Sequence, residues 1–145
     1  MEIENLCDFY ASKYHLSVIL LEYLKNKNTK KTKVVTFLEN EIEDEIQALV
    51  GRYKYDKNII KEVDFNRTEK IIEKEVPNTK DIIFIIEGSM GYIREVREYI
   101  SKIINEKSNV KIITCYNFET QRNFMSEALR RNDKILFTTG EKIID

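Results

Sequence analysis

The chain has 145 residues, 42% hydrophobic and 34% charged, a balance that suits one folded domain over residues 1–145 with its own core. A formal net charge of -1 gives no global field for gripping nucleic acid or an anionic membrane. Cys7 and Cys115 are the only cysteines, outside any CxxC or Cys/His cluster, which argues against a structural zinc site and suits a reducing compartment.

In chain order, Leu16, Ile19, Leu20, Tyr23 and Leu24 recur at helical spacing, predicting a helix from about Glu4 to Lys25. Asn26 to Lys33 reads as a polar, basic loop. Val34-Val35-Thr36-Phe37-Leu38 is a short β-branched run of the kind found in buried strands. Asn40 is placed to cap a following helix with Ile42, Ile46, Leu49 and Val50 inward and Glu41, Glu43 and Asp44 in its first turn. Ile59 to Val63 suggests a weaker strand, and Thr68 to Glu75 a short helix closed by Pro77. The strongest strand is Ile82-Ile83-Phe84-Ile85-Ile86. Met90 to Lys107 forms an amphipathic helix with Ile93, Val96, Ile100, Ile103 and Ile104 on one side. Val110 to Tyr116 is the next strand, Glu119 to Arg131 a helix, and Lys134 to Phe137 a last strand.

Alternating strands and helices predict an α/β fold: three layers, with a mostly parallel sheet flanked by helices. Such sheets bind ligands beyond the carboxyl ends of their strands. Those ends carry Glu39 and Asn40, Asp64, Glu87-Gly88-Ser89, and Tyr116-Asn117. The acidic start at Met1–Asn5 has no signal-like core. No apolar run reaches the roughly 18 residues that span a bilayer, so a cytoplasmic location without membrane contact is expected.

Catalytic constellations are missing. A P-loop needs several glycines to surround phosphate with backbone N–H groups, whereas Phe9 to His15 has none, leaving Lys13 as an ordinary surface lysine. Glu87-Gly88-Ser89-Met90-Gly91 places two glycines at a strand-to-helix turn. The following helix offers free amides to an anion, although tight turns need glycine for backbone reasons alone. Glu87 stands where a carboxylate contacts a ligand or caps the next helix. His15 is the sole histidine, so no histidine pair exists for a metal or a proton relay. With Phe9, Tyr10 and Tyr14 it is placed either in the core or around a pocket for an apolar or weakly polar ligand. Cys115 has no activating neighbour in the sequence and reads as a small buried hydrophobe. The four lysines between Lys27 and Lys33, and Arg130-Arg131, lack interleaved aromatics and read as solvated turns, not nucleic-acid patches. An enzyme, a metal and a cofactor are therefore not expected.

Three stretches carry a resemblance. Leu6-Cys7-Asp8-Phe9-Tyr10, a long helix and Lys33-Val34-Val35-Thr36-Phe37 form one; Glu87-Gly88-Ser89-Met90-Gly91-Tyr92, leading into a helix through Tyr99, forms the second. The third joins Ile113-Thr114-Cys115-Tyr116-Asn117-Phe118 to Ala128-Leu129-Arg130-Arg131-Asn132 and Ile135-Leu136-Phe137. In this order the chain resembles the MEDS domain, the methanogen and methylotroph sensory domain of DcmR type. It departs from it with Tyr92 in place of a tryptophan, Asn117 in place of an aspartate, and Asn132-Asp133 in place of His-Pro. The resemblance implies a RecA/KaiC-like core that has lost its P-loop and a sensory, regulatory role. A small-molecule ligand, or a partner such as a histidine kinase or an anti-sigma-type regulator, would then be sensed and reported, through that partner or through a homodimer. The expected pocket at the carboxyl end of the sheet is lined by Tyr10, His15, Glu39, Glu87, Ser89, Tyr116 and Asn117. The competing expectations are a protein-interaction module descended from an ATPase without a small ligand, and a nucleotide-binding enzyme with an unconventional loop.

Overall fold

Five successive apolar residues, Ile82 to Ile86, cannot alternate between core and water, so their strand must be covered on both faces. The computed structural model describes residues 2–25, 27, 32–53, 55, 63–64, 79–104 and 107–144, and places that run at the heart of a sheet. The chain order is β1 (Glu2–Tyr10), α1 (Lys13–Lys25), β2 (Thr32–Leu38), α2 (Glu43–Arg52), β3 (Val63–Asp64), β4 (Asp81–Glu87), α3 (Met90–Ile103), β5 (Asn109–Asn117), α4 (Met125–Arg131), β6 (Lys134–Phe137) and β7 (Gly140–Ile143). Seven strands lie in the order β3-β2-β4-β5-β1-β6-β7. All are parallel except β7, which returns antiparallel on β6.

Period-2 alternation divides the core into two layers. Leu6 and Tyr10 of β1, Ile83 and Ile85 of β4, and Ile113 and Cys115 of β5 pack with Leu16, Leu20, Ile46 and Leu49 from α1 and α2. Cys7, Ile82, Phe84, Ile86, Ile112 and Tyr116 point the other way, against Ile93, Val96 and Ile100 of α3 and Ala128 of α4. The expected three-layer, mostly parallel α/β fold is what forms.

Several boundaries differ from the sequence reading. The helix expected from Glu4 begins at Lys13, because Glu2–Tyr10 pairs with β5 over nine residues and Leu6 and Cys7 are buried on opposite faces. Asn40 does not cap α2. Its side chain turns to Glu87, and the cap residue is Ile42, which has no side-chain cap bond. α3 stops at Ile103, with Ile104 already extended. The segment from Glu119 is a turn and a short 3-10 stretch, Arg122–Phe124, before α4 begins at Met125. β7 was not anticipated. Residues 59–62 of the second expected strand and the whole Thr68–Glu75 helix lie outside the described residues, and Val63–Asp64 forms a short strand on β2.

The reassignment of the first segment makes a direct demand on stability. Leu6 is completely buried between β5 and β6, whereas Ile3 of the same strand is 38% exposed. Leu6→Ala is expected to cost about 2–5 kcal/mol and Ile3→Ala well under half of that, read from urea unfolding midpoints.

Candidate functional site

The carboxyl ends of β1, β2, β4 and β5 meet around a cavity of about 530 Å³. Its lining includes Tyr10 and Lys13 from the first turn, Glu39 and Asn40 from the second, Gly88, Ser89 and Met90 from the third, and Asn117, Thr120 and Gln121 from the fourth. Each turn is tied to the next. The Glu39 N–H donates to the Glu87 carbonyl at 3.0 Å, and the Gln121 amide donates to the Gly88 carbonyl at 2.9 Å. The Phe118 N–H donates to the Tyr10 carbonyl at 2.8 Å.

Below the cavity lies Glu87, wholly buried at the end of β4. Its carboxylate accepts the Asn40 backbone N–H at 3.0 Å, the Asn40 side-chain amide, and the Tyr10 hydroxyl at 3.5 Å. Among the described residues no lysine or arginine pairs with it. Charge-dipole bonds from β1 and β2 do the work that a counter-ion would otherwise do. Glu87 is thus the floor of the site and is not a helix cap. The helix cap is Ser89, whose Oγ accepts the Tyr92 N–H at 3.2 Å.

The amino terminus of α3 is already occupied. Glu39 Oε1 accepts the Ser89 N–H at 2.9 Å, so the chain's own carboxylate sits where the sequence offered a free anion site. The first helix is closed in the same way. Ser12 Oγ accepts the His15 N–H at 3.1 Å, and His15 Nδ1 accepts the Ala11 N–H at 2.9 Å. His15 serves the turn and does not line the cavity.

Of the seven residues expected together, Tyr10, Glu39, Ser89 and Asn117 line the cavity and Glu87 underlies it. Tyr116 does not join them. It faces the α3 side of the sheet, stacked on Phe9 with centroids 5.7 Å apart. Phe9 therefore leaves the pocket too, and Tyr14 is 47% exposed beside Tyr53. The aromatic cage for an apolar ligand is not formed. The cavity is lined by the apolar Ile42 and Met90 together with one phenol, three amides, hydroxyls, one ammonium and one carboxylate. Thr120 and Gln121 were missed, Lys13 was read as a surface lysine, and Asn40 was placed at the strand end but read as a helix cap. Gln121 holds Asn117 directly, its side-chain oxygen accepting the Asn117 N–H at 2.6 Å. Lys13 makes no ion pair among the described residues and is the cavity's cation.

Deeper on the same face is Asp8, fully buried on β1 with both carboxyl oxygens out of reach of any N–H or O–H among the described residues. Its neighbour across the sheet is the Cys115 thiol, a weak donor. Burial pushes the Asp8 carboxyl up to about 8, and the thiol offsets only part of that. Burial, with Asp8 beside it, likewise holds the Cys115 thiol well above its ordinary value, so it is not a thiolate nucleophile. Among the described residues no group of three His, Cys, Asp or Glu side chains is close enough to hold a metal, and no helix is long and apolar enough to cross a membrane. No protein-family model matches the chain, and no curated protein matches it.

Two outcomes follow from this geometry. Gly88 has φ +153°, and a Cβ there would stand 2.7 Å from Tyr92 Cδ1 and 2.8 Å from Glu39 Cβ. Gly88→Ala should therefore cost about 1–3 kcal/mol and displace Glu39, seen as lost protection of the Ser89 amide in hydrogen exchange. Asp8 is raised from 3.8 to about 8 on folding, so the folded chain keeps a proton that the unfolded chain has released. Stability is full below the lower value, falls as pH rises toward the higher one, and levels off above it. Asp8→Asn should flatten that slope and exceed the wild type by about 1–3 kcal/mol above pH 8, read from urea midpoints across the range.

Proposed function

We propose that the chain is a cytoplasmic sensory or regulatory domain that binds a small polar metabolite in the cavity at the carboxyl end of its sheet. The observation that carries this reading is the convergence of four βα turns on one cavity of mixed polar and apolar lining, cross-tied by hydrogen bonds and floored by a buried carboxylate. Lys13 at the first turn and Glu39 beside the Ser89 amide present opposite charges to one space, with the amides of Asn117 and Gln121 between them. That combination suits a ligand carrying both an anionic group and hydrogen-bond donors, and does not suit an apolar one. Near it, the Cys115 thiol is buried and protonated, and His15 is engaged in a turn.

The resemblance to the MEDS domain supports the sensory part. It agrees with a RecA/KaiC-like core whose nucleotide loop is lost, since only Ala11 and Ser12 separate β1 from α1 and the Ser12 hydroxyl caps that helix. On this reading the signal passes to a partner such as a histidine kinase or an anti-sigma-type regulator, or through a homodimer. Ligand binding would favour one arrangement of the Ser89–Tyr92 turn over another.

Thermal unfolding in the presence of small zwitterionic metabolites, and separately of ATP with magnesium, checks the proposal. A true ligand at a hundredfold excess over its Kd adds about 2.7 kcal/mol, which for a domain of this size raises Tm by about 5–10 °C. Lys13→Ala and Asn117→Ala should each abolish most of that rise. If no metabolite shifts Tm, or both variants respond as the wild type does, the pocket reading fails and the protein-interaction module stands. A shift with ATP and magnesium alone would instead favour the nucleotide-binding reading.

A further inference from the structure

The opposite face of the sheet holds a second cavity, of about 540 Å³, between α3 and α4. At its base is Arg97, a partly buried guanidinium reaching across β5 and β1. It donates to Thr114 Oγ1 at 3.0 Å and to Asn5 Oδ1 at 2.9 Å, both neutral oxygens. Among the described residues no carboxylate lies within salt-bridge distance, and three of its five N–H donors have no partner. Burial, the first cause, and Arg131 nearby both work against its charge, while the Tyr116 phenol favours it. Two neutral bonds orient the guanidinium without neutralising it. A half-desolvated cation of this kind is stabilised chiefly by an anion arriving from outside.

The rest of the cavity fits that arrival. Arg94 and Arg131 stand on its rim, so three guanidiniums face one space. Glu127 pairs with Arg131, and Glu98 is the other acid in the lining, leaving an excess of positive charge. Behind the arginines the wall is apolar: Phe124 is tilted against the buried Tyr116 at 5.6 Å between centroids, and the Arg131 guanidinium lies over the Phe124 ring at 5.8 Å. We propose that this groove is a binding site for a small organic anion, its carboxylate or phosphate head on Arg97 and its apolar body against the half-buried Phe124. The site shares Met90 with the carboxyl-end cavity but does not depend on the reading given to that one.

Calorimetric titration of the full chain with phenyl phosphate, benzoate and inorganic phosphate tests this. At least one ring-bearing anion should bind saturably, about tenfold tighter than inorganic phosphate. Arg97→Gln should weaken that binding by about tenfold or more, Arg97→Lys less, and Arg131→Gln by about threefold. Arg52→Gln, a charge loss on exposed α2 across the sheet, should leave it unchanged. If Arg97→Gln does not fold, Arg131→Gln and Arg94→Gln decide alone. The proposal is overturned if neither ring-bearing anion saturates below about 10 mM, if inorganic phosphate binds equally well, or if the rim and Arg97 variants titrate as the wild type does.

Discussion

A carboxylate removed from water with no cation beside it is among the most costly arrangements a core can hold. Glu87 is buried with no lysine or arginine paired to it among the described residues, and the geometry of the carboxyl end follows from how its oxygens are met. The Asn40 backbone and side chain reach it from the end of β2, and the Tyr10 hydroxyl from the end of β1. Those strands are not neighbours: β4 and β5 stand between β2 and β1. The bonds to one carboxylate therefore fix turns that the backbone ladder leaves independent, and the cavity exists because those turns are held apart at a set spacing. Asn40 is consumed by this task, which is why α2 begins without a side-chain cap.

How much of this was legible in the sequence depended on whether polar residues interrupted the pattern. Strands β2, β4 and β5 announced themselves because both their faces are buried and their apolar runs are nearly continuous. β1 is just as central, yet Asn5 and Asp8 break its run, and the following helical stripe absorbed it. Those residues have particular surroundings: Asn5 holds Arg97 and the Asp133 turn, and Asp8 lies buried without a strong donor. The position of the site followed from strand–helix alternation, and Tyr10, Glu39, Ser89 and Asn117 do meet there. Tyr116 failed for a reason of parity. It precedes Asn117 by one residue, and one residue along a strand is the other side of the sheet. His15 failed because a polar side chain near a helix start is used first by the helix itself. Gln121 carried no signal beyond being four residues after Asn117, close enough to bond back to it.

The two faces of the sheet are chemically opposed. Toward α1 and α2 the buried polar side chains include two carboxyl groups, Asp8 and Glu87, the Cys115 thiol and the hydroxyls of Ser17 and Thr36, with the Tyr10 phenol raised by burial and by Glu87 beside it. Toward α3 and α4 the buried charge is the guanidinium of Arg97. Adjacent residues on the same two strands, Asp8 and Cys7 on β1 or Cys115 and Thr114 on β5, thus face different surroundings. The sheet thus separates the Glu87 carboxyl from the partly buried Arg97 guanidinium across its own thickness.

The separation is bridged at one point. Ser89 caps α3 and receives Glu39 at its N–H, while Arg94 and Arg97 project from the next two turns of that helix. Met90, the first residue of α3, lines both cavities, and its sulfur accepts from Gln121 at 3.4 Å. A displacement of the Gly88–Ser89 turn must therefore move the wall of the α3–α4 groove, because a packed helix shifts as a unit. Gly88 has no room for a side chain between Tyr92 and Glu39, so the turn has little freedom to absorb a change locally. Where two sites share a rigid element in this way, whatever one ligand does to the affinity of the other must be returned in equal measure. On the two proposals, α3 would carry that exchange, because its first residue borders both cavities.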